Sequence, residues 1–277
     1  MVADVHVETP DTVTLVLFTG NDRLEYQPGH FCTIDPHQIA VLSSFAKYFE
    51  DLKGKREVPR AYSLSSAPHE KRIAITVKEE TYVRGKTKYP PLLSPYLVKQ
   101  LHPGDQLRIT GFTGPYTLSP DIESQTDHLV HVVAGSGAVP NFSIIKHALH
   151  TGLKLRHTFI CSNRTFDDIC FYRELDALAH QHPAQLRVIH TLTRETDETR
   201  FGPSVRKGRV SKELFAELIP DPSACIVYAC GPAIGPHERA EAKEKGTTPD
   251  PRFLESAMEH LAAVGIPKTR IKHESYG

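Results

Sequence analysis

Short apolar runs rich in β-branched residues recur through the first part of the chain, with turn residues between them. Thr12–Phe18, with the sequence TVTLVLF, has the composition and partial alternation of a β-strand. Turns at Pro28–Gly29 and Pro103–Gly104–Asp105 separate runs of this kind. The predicted strands are 12–18, 30–34, 61–65, 73–78 and 106–110. Short strands divided by glycine and proline turns predict a small antiparallel barrel.

Two segments interrupt the strands with helical spacing. Phe45–Leu52 has an amphipathic helical pattern within 37–59, which looks like an insertion between two barrel strands. In Ser94–Leu101 we predict serine at the N-cap and Pro95 at the first helical position, where the missing N–H has no intrahelical partner to lose.

After Ser119 the pattern changes to alternating strands and helices. The predicted strands are 127–134, 155–161, 185–192 and 225–229, and the predicted helices are 141–149, 171–180, 211–218 and 252–264. Strands that alternate with helices indicate a parallel sheet with crossover helices. We therefore expect two domains, 1–121 and 122–277, with the boundary in the polar stretch 118–127. The fold class is β followed by α/β: an antiparallel Greek-key barrel, then a parallel-sheet domain.

Composition narrows the class of protein without identifying it. The 277 residues carry no net charge, which gives no overall attraction to nucleic acid or to an anionic membrane. No apolar run approaches the ~20 residues that a membrane-spanning helix needs. Residues 1–11 also lack the pattern of a signal peptide. We expect a cytoplasmic protein with neither a nucleic-acid nor a membrane partner.

Cysteine and histidine spacings argue against a metal centre. The five cysteines contain no C-x-x-C pair and no C-x4-C-x2-C run of the kind that holds a plant-type iron–sulfur cluster. The 16 histidines include no H-E-x-x-H motif. We therefore predict no metal site in this chain.

A glycine-rich turn, Gly135-Ser136-Gly137-Ala138-Val139-Pro140, closes a predicted strand and opens a predicted helix. Exposed N–H groups and the helix dipole favour a phosphate at such a position, and Pro140 suits the start of the helix. Gly135, Ser136, Gly137 and Pro140 are therefore predicted to bind a nucleotide. A tight turn with no ligand is the alternative interpretation of the same residues.

The next strand ends in polar and cationic residues rather than an acid. A carboxylate at this place normally binds the ribose diol, whereas Ser162, Asn163 and Arg164 suit a ribose with a 2′-phosphate better. This favours NADPH over NADH. Arg164 as a partner in a surface salt bridge is the alternative.

The segment Arg60-Ala61-Tyr62-Ser63 taken alone fits a barrel strand with an exposed arginine and a packed tyrosine. It also resembles the R-x-Y-S strand that binds flavin in the ferredoxin–NADP reductase superfamily. The resemblance covers nearly the whole chain and keeps the order of the motifs. The other matching segments are Pro28–Phe31, Val77–Lys78, Gly111–Tyr116, the turn at 135–140 and Tyr228–Pro232.

The resemblance implies roles for these residues in a flavin-binding barrel. Arg60 would bind a flavin phosphate, Tyr62 would stack on the isoalloxazine ring, and Ser63 would lie near its N5 edge, with Ala61 between them. Val77 and Lys78 would line the site from the next strand, and Ser94 would hold the pyrophosphate. FAD is favoured over FMN, although Pro91 stands where the family has glycine.

The same resemblance implies that Cys230, with Gly231 and Pro232, lies beside the nicotinamide. Near the end of the sequence, Tyr276 would shield the second flavin face, and Glu274 would handle protons or contact the acceptor. A buried structural cysteine and a disordered tail are the alternatives.

These motifs together predict a flavin-dependent oxidoreductase that passes electrons from NAD(P)H through FAD to a separate redox protein. Without cluster ligands in the chain, we expect that acceptor to be a ferredoxin, a flavodoxin or an oxygenase component. One alternative is a flavin-binding electron-transfer or regulatory subunit that does not itself oxidise free NAD(P)H. The other is a nucleotide-binding module without redox activity.

Overall fold

A computed structural model describes residues 1–20, 24–84, 87 and 89–276. It divides into two compact units, Met1–Thr117 and Leu118–Gly277, hereafter the N-terminal and C-terminal units. Within the described residues no helix is both long enough and apolar enough to span a bilayer.

The described residues of the N-terminal unit form two three-stranded antiparallel sheets and two α-helices. One sheet has the order β1-β2-β5 and the other β4-β3-β6, and a bridge between Leu64 and Ile75 links them. Aliphatic side chains from both sheets, such as Leu15 and Ile34, form a common core. The elements are β1 Val2–Thr9, β2 Thr12–Leu17, β3 Phe31–Ile34, α1 Ser43–Lys53, β4 Arg60–Ser63, β5 Ile73–Lys78, α2 Ser94–Lys99 and β6 Thr110–Thr113.

The strand predicted at 106–110 is wrong, because the strand in this region is Thr110–Thr113. Thr110 and Thr113 pair with β3, whereas Arg108 lies outside any strand. The side chain of Gln38 satisfies the main chain of Arg108 instead. It accepts a hydrogen bond from the Arg108 N–H at 2.6 Å and donates one to the Arg108 carbonyl at 2.9 Å. A side-chain amide thus replaces a neighbouring strand there.

The C-terminal unit is a six-stranded parallel sheet with helices. The strand order is β10-β9-β8-β7-β11-β12, and every neighbouring pair is parallel. The carboxyl ends of the strands therefore meet at one edge, where ligands bind in open α/β sheets. The elements are α3 Ile122–Gln125, β7 His128–Ala134, α4 Ala138–Thr151, β8 Arg156–Asn163, α5 Tyr172–Gln181, β9 Leu186–Leu192, β10 Val205–Lys207, α6 Lys212–Leu218, β11 Ile226–Pro232, α7 Pro236–Glu244, α8 Phe253–Ala263 and β12 Ile271–Tyr276.

The predicted fold class is confirmed in both units. The helix predicted at 45–52 lies within α1, and the helices and strands predicted after Ser119 all appear, with shifts of a few residues at their ends. The segment Ile271–Tyr276 is not a disordered tail, because it pairs with β11 and extends the parallel sheet. Its sequence, IKHESY, gives no apolar alternation from which this strand could be predicted.

Candidate functional site

Arg60, Ala61, Tyr62 and Ser63 form β4, at the centre of the predicted flavin site. Tyr62 is half-buried against the core of the N-terminal unit, and burial raises the pKa of its hydroxyl above the ordinary value. Ser63 is buried and Ala61 is exposed. Because side chains alternate along a strand, Arg60 and Tyr62 lie on the same face of β4 and Ser63 lies on the other.

Arg60 is held by the end of the insertion. Its Nη2 donates to Glu57 Oε2 at 2.8 Å and its Nη1 donates to the carbonyl of Val58 at 2.6 Å. The buried Glu57 carboxylate also pairs with Lys53 at the end of α1. A guanidinium has five N–H donors. Two are used in these bonds, so donors remain for an anion, and the side chain of Arg60 is 42% exposed.

Glu57 is a residue of the site that the sequence analysis did not identify. Burial opposes its ionisation, but hydrogen bonds and charges from Lys53 and Arg60 hold its pKa below the ordinary value. Its spacing of four residues from Lys53 and three from Arg60 was the only available signal. Such spacing indicates a pair only within a helix, and Arg60 lies in a strand.

Ser94, predicted to hold a pyrophosphate from an N-cap, is not at the N-cap. Leu93 occupies that position and Ser94 is the first residue of α2. The buried Ser94 hydroxyl donates to Glu80 Oε2 at 3.2 Å and accepts from the Glu80 N–H at 3.1 Å. Its one O–H donor is therefore used within the protein.

The predicted contacts from β5 differ from each other in accessibility. Val77 is fully buried in the core and is not accessible to a ligand in this structure. The ammonium of Lys78 pairs with Asp11 Oδ2 at 3.0 Å and is partly exposed. Neither residue is in the same sheet as Arg60.

The glycine-rich turn follows β7 at the carboxyl edge of the parallel sheet. Gly135–Gly137 forms a 3₁₀ turn that leads directly into α4. Pro140 is the third residue of this helix rather than the first, so the predicted position is wrong by two residues. The Ala138 N–H donates to the carbonyls of Gly135 and Ser136, and N–H groups at the start of a helix that lack such partners would stabilise an anion.

Gly137 fixes the contact between this turn and β11. A Cβ atom at position 137 would lie 2.2 Å from the carbonyl oxygen of Cys230, so only glycine permits the observed packing. At Gly135, with φ +53°, nothing lies within 4 Å of the position of a Cβ atom. The turn therefore presents an open surface at its first glycine and a closed contact at its second.

Ser162, Asn163 and Arg164 lie at the end of β8, beside the turn. Ser162 and Asn163 are buried, and the guanidinium of Arg164 pairs with Asp168. The Asp168 carboxylate also accepts from the Thr165 N–H at 3.0 Å. Burial opposes its ionisation, but its bonds to Thr165 and Arg164 lower its pKa. Both interpretations of Arg164 therefore remain open, because the salt bridge exists and the guanidinium is half-exposed.

Asp168 is a second residue that the sequence analysis missed. The pattern Thr165-x-x-Asp168 is a capping box and could have been recognised as one. It places a carboxylate near the end of β8, a few residues beyond the usual position of the ribose-binding acid.

Cys230, Glu274 and Tyr276 come together at the ends of β11 and β12. Cys230 is opposite Glu274 in the pairing, and Pro232 is opposite Tyr276. Burial, and then the charge of Glu274, raise the pKa of the Cys230 thiol well above its ordinary value, against a hydrogen bond with the Tyr276 side chain. A buried thiol with a raised pKa is a poor nucleophile, because the thiolate is the reactive form.

Glu274 is an unusual carboxyl group for the surface end of a sheet. Its Oε2 is buried and has no hydrogen-bond partner among the described residues. Burial raises its pKa to about 7. Such a group holds or releases a proton near neutral pH, as proton-transferring residues do.

The residues present fit a nucleotide in the C-terminal unit and a flavin in the N-terminal unit. The turn supplies N–H groups over an open surface, and Glu274 supplies a buried oxygen that has no hydrogen-bond partner in the described part of the chain. In the other unit, Arg60 has unused donors and shares one strand face with the Tyr62 ring. Ser94 fits the predicted phosphate contact less well, because its hydroxyl already donates to Glu80.

Comparison with known proteins identifies the family. The profile of the oxidoreductase NAD-binding domain family matches residues 132–234. The ferredoxin reductase component of 3-ketosteroid-9-alpha-monooxygenase from Mycolicibacterium smegmatis is 30% identical over 281 aligned positions, which cover 96% of this chain and 68% of that protein. The NADH nitrate reductase of Volvox carteri is 32% identical over 122 residues, 43% of this chain and 14% of that protein.

The fold has close counterparts among solved structures. The FAD/NAD-binding domain of nitric oxide dioxygenase from Vibrio cholerae O1 biovar El Tor superposes with a TM-score of 0.72 at 23% identity, covering 100% of this chain and 97% of that one. Several relatives are much longer than this chain, which spans only 14% to 53% of the length of four of them. Members of the family to which these comparisons lead are oxidoreductases that use FAD and NAD(P)H. The chain belongs to the ferredoxin–NADP reductase superfamily of flavoprotein oxidoreductases.

Proposed function

We propose that the chain oxidises NAD(P)H through bound FAD and passes the electrons to a separate redox protein. In this proposal 1–121 binds the flavin and 122–277 binds the nicotinamide nucleotide. The observation that carries it is the contact of Gly137 with Cys230, because it joins the phosphate-binding turn to the strand end predicted to lie beside the nicotinamide.

Bound FAD and NAD(P)H supply the hydride and electron transfer, and the chain supplies binding and orientation. Arg60, with one donor held by Glu57 and another by the carbonyl of Val58, binds the flavin phosphate. Tyr62 packs against the ring system and Ser63 lies near its redox-active edge. Because Ser94 is engaged by Glu80, Arg60 carries a larger share of the phosphate contact in this chain.

On the nucleotide side, the N–H groups of Gly135–Gly137 and of the first turn of α4 bind the pyrophosphate. Ser162, Asn163 and Arg164 bind the ribose, and the pair of Arg164 with Asp168 decides between NADPH and NADH. The neutral Cys230 thiol packs beside the nicotinamide, while Glu274 exchanges protons near neutral pH. Tyr276 covers the second flavin face.

A ferredoxin, a flavodoxin or an oxygenase component is the acceptor that we propose. The support is the name of the Mycolicibacterium relative, a ferredoxin reductase component of a monooxygenase.

Anaerobic titration of the flavin-reconstituted protein with NADPH and with NADH tests the proposal. We expect at least one nucleotide to bleach the flavin absorbance stoichiometrically, followed by reoxidation on addition of a ferredoxin or flavodoxin. Protein that binds neither FAD nor FMN would refute any flavin-dependent function. Protein that binds flavin but is bleached by neither nucleotide would instead be an electron-transfer subunit.

A further inference from the structure

A row of three buried polar side chains crosses the C-terminal unit. His157 lies on β8, His131 on the adjacent strand β7, and Asn141 on α4, with exposures of 2%, 0% and 0%. Buried polar groups of this kind destabilise a protein unless they are hydrogen-bonded. The row is continuous, because His157 Nδ1 lies 3.1 Å from His131 Nε2 and His131 Nδ1 lies 2.8 Å from Asn141 Oδ1.

The row ends at the nucleotide-binding turn. Asn141 Nδ2 donates to the carbonyl oxygen of Gly137 at 3.1 Å. A carbonyl can only accept, so the nitrogen of the carboxamide faces Gly137 and its oxygen faces His131. Nδ1 of His131 must then carry the proton, Nε2 must accept, and His157 must donate from Nδ1. His157 therefore donates to His131, His131 donates to Asn141, and Asn141 donates to the carbonyl of Gly137.

Pro140 is the third residue of α4 and has no N–H, so the first turn of this helix has one donor fewer than usual. The loss falls beside Gly137, whose packing against Cys230 permits no displacement toward β11. The side chain of Asn141 supplies a donor in the same region.

We propose that Asn141 is a positioning residue for the nicotinamide nucleotide, and that His131 and His157 act through it. The hydrogen bond from Asn141 to the Gly137 carbonyl orients the peptide groups whose N–H bonds face the phosphate. The same bond keeps the turn in contact with Cys230. This inference rests on the proposed function of the turn. The family match and the turn sequence do not assign a role to any of these three side chains.

Two substitutions at position 141 test the proposal. Asn141→Leu removes the hydrogen bonds to His131 and to Gly137 at similar volume, whereas Asn141→Asp keeps an acceptor for His131 and loses the donor to Gly137. For both variants we expect KM for NADPH and NADH to rise about 10-fold with kcat nearly unchanged, because each loses the hydrogen bond that Asn141 donates to Gly137. Calorimetric binding of NADP⁺ and NAD⁺ to the oxidised holoenzyme should weaken by the same factor.

His128→Leu is the matched control. His128 is buried on the same strand and bonds to Thr158 Oγ1 at 2.8 Å, outside the row. It should lower Tm and leave KM unchanged. His131→Leu should raise KM, but adding it to Asn141→Leu should raise KM no further, because His131 acts through Asn141.

The outcomes separate this inference from the proposed function. If wild-type holoenzyme binds neither nucleotide, the proposed function fails. If it binds one and Asn141→Leu changes KM no more than His128→Leu does, the positioning role is refuted. Should Asn141→Leu fail to fold, the same comparison is made with Asn141→Asp, whose unchanged KM would equally refute it.

Discussion

Acidification should destabilise the C-terminal unit well before the surface carboxylates titrate. His131, His157 and His190 are at most 3% exposed. Burial lowers the pKa of His131 and of His190 from 6.5 to about 4 and lowers that of His157 well below 6.5. These folded-state values lie below the unfolded ones, so the unfolded chain binds the extra protons. The stabilisation is complete above pH 6.5 and is lost as the pH falls toward 4.

The size of the effect follows from these values. At pH 5, a histidine whose pKa drops from 6.5 to about 4 on folding contributes a loss of about 2 kcal/mol. His131 and His190 together therefore give about 4 kcal/mol, to which His157 adds. Glu274 acts in the opposite direction, because its folded pKa of about 7 lies above its unfolded value of 4.5. Its protonation between pH 7 and 5 restores at most about 2 kcal/mol of the free energy of unfolding. Solvent screening of this half-exposed group reduces that contribution.

The net expectation is a loss of several kcal/mol between pH 7.5 and pH 5, a large part of a typical domain stability. Urea unfolding followed by far-UV circular dichroism measures it, since the chain has no tryptophan. Glu274→Gln should steepen the acid loss by removing the opposing group. An unfolding free energy that is equal or greater at pH 5 would refute the reasoning.

Three further predictions concern the ligand sites. Arg60→Ala should weaken flavin binding at least 10-fold and Glu57→Gln should weaken it less, because losing a charge-assisted bond removes about 1.5–3 kcal/mol; flavin content after dialysis measures both, and full retention by Arg60→Ala would exclude its role. Arg164→Ala should raise KM for NADPH more than for NADH, whereas Asp168→Asn, by releasing the guanidinium, should lower KM for NADPH; equal changes for both nucleotides would remove the argument for a 2′-phosphate contact. Gly137→Ala forces a Cβ atom to 2.2 Å from the Cys230 carbonyl, so Tm and nucleotide affinity should both fall in thermal and calorimetric measurements, and a variant with wild-type values would show that the turn can move.

The elements with strong local patterns were predictable from the sequence, and those defined by tertiary pairing were not. Helix α8 carries Phe253, Ala257 and Leu261 on one face and stops before Gly265, so the prediction nearly matches its bounds. Strand β12 has no apolar alternation, and it exists because β11 offers an edge to pair with. Tertiary pairing overrides local propensity in such cases.

The candidate site divides in the same way. Arg60 and Gly137 were identified because their motifs are contiguous in the sequence. The groups that hold these two residues are distant from them in the sequence or lie on another element. Asn141 meets His131 from another element, and Glu57 lies in the insertion whose role no motif indicates. Hydrogen-bond partners of this kind leave no periodic signal, so sequence patterns could locate the ligand-binding residues but not their supports.

The surroundings of Gly137 and of Arg164 differ, and this difference determines which positions tolerate substitution without disturbing the packing of the unit. Position 137 lies against the main chain of Cys230. A larger residue there can be accommodated only if Cys230 and the register of β11 change as well. Arg164 and Asp168 lie at an accessible strand end, where an exchange disturbs one salt bridge. Evolutionary drift or laboratory selection for a different nicotinamide nucleotide should therefore act on 162–168, while the turn stays constant.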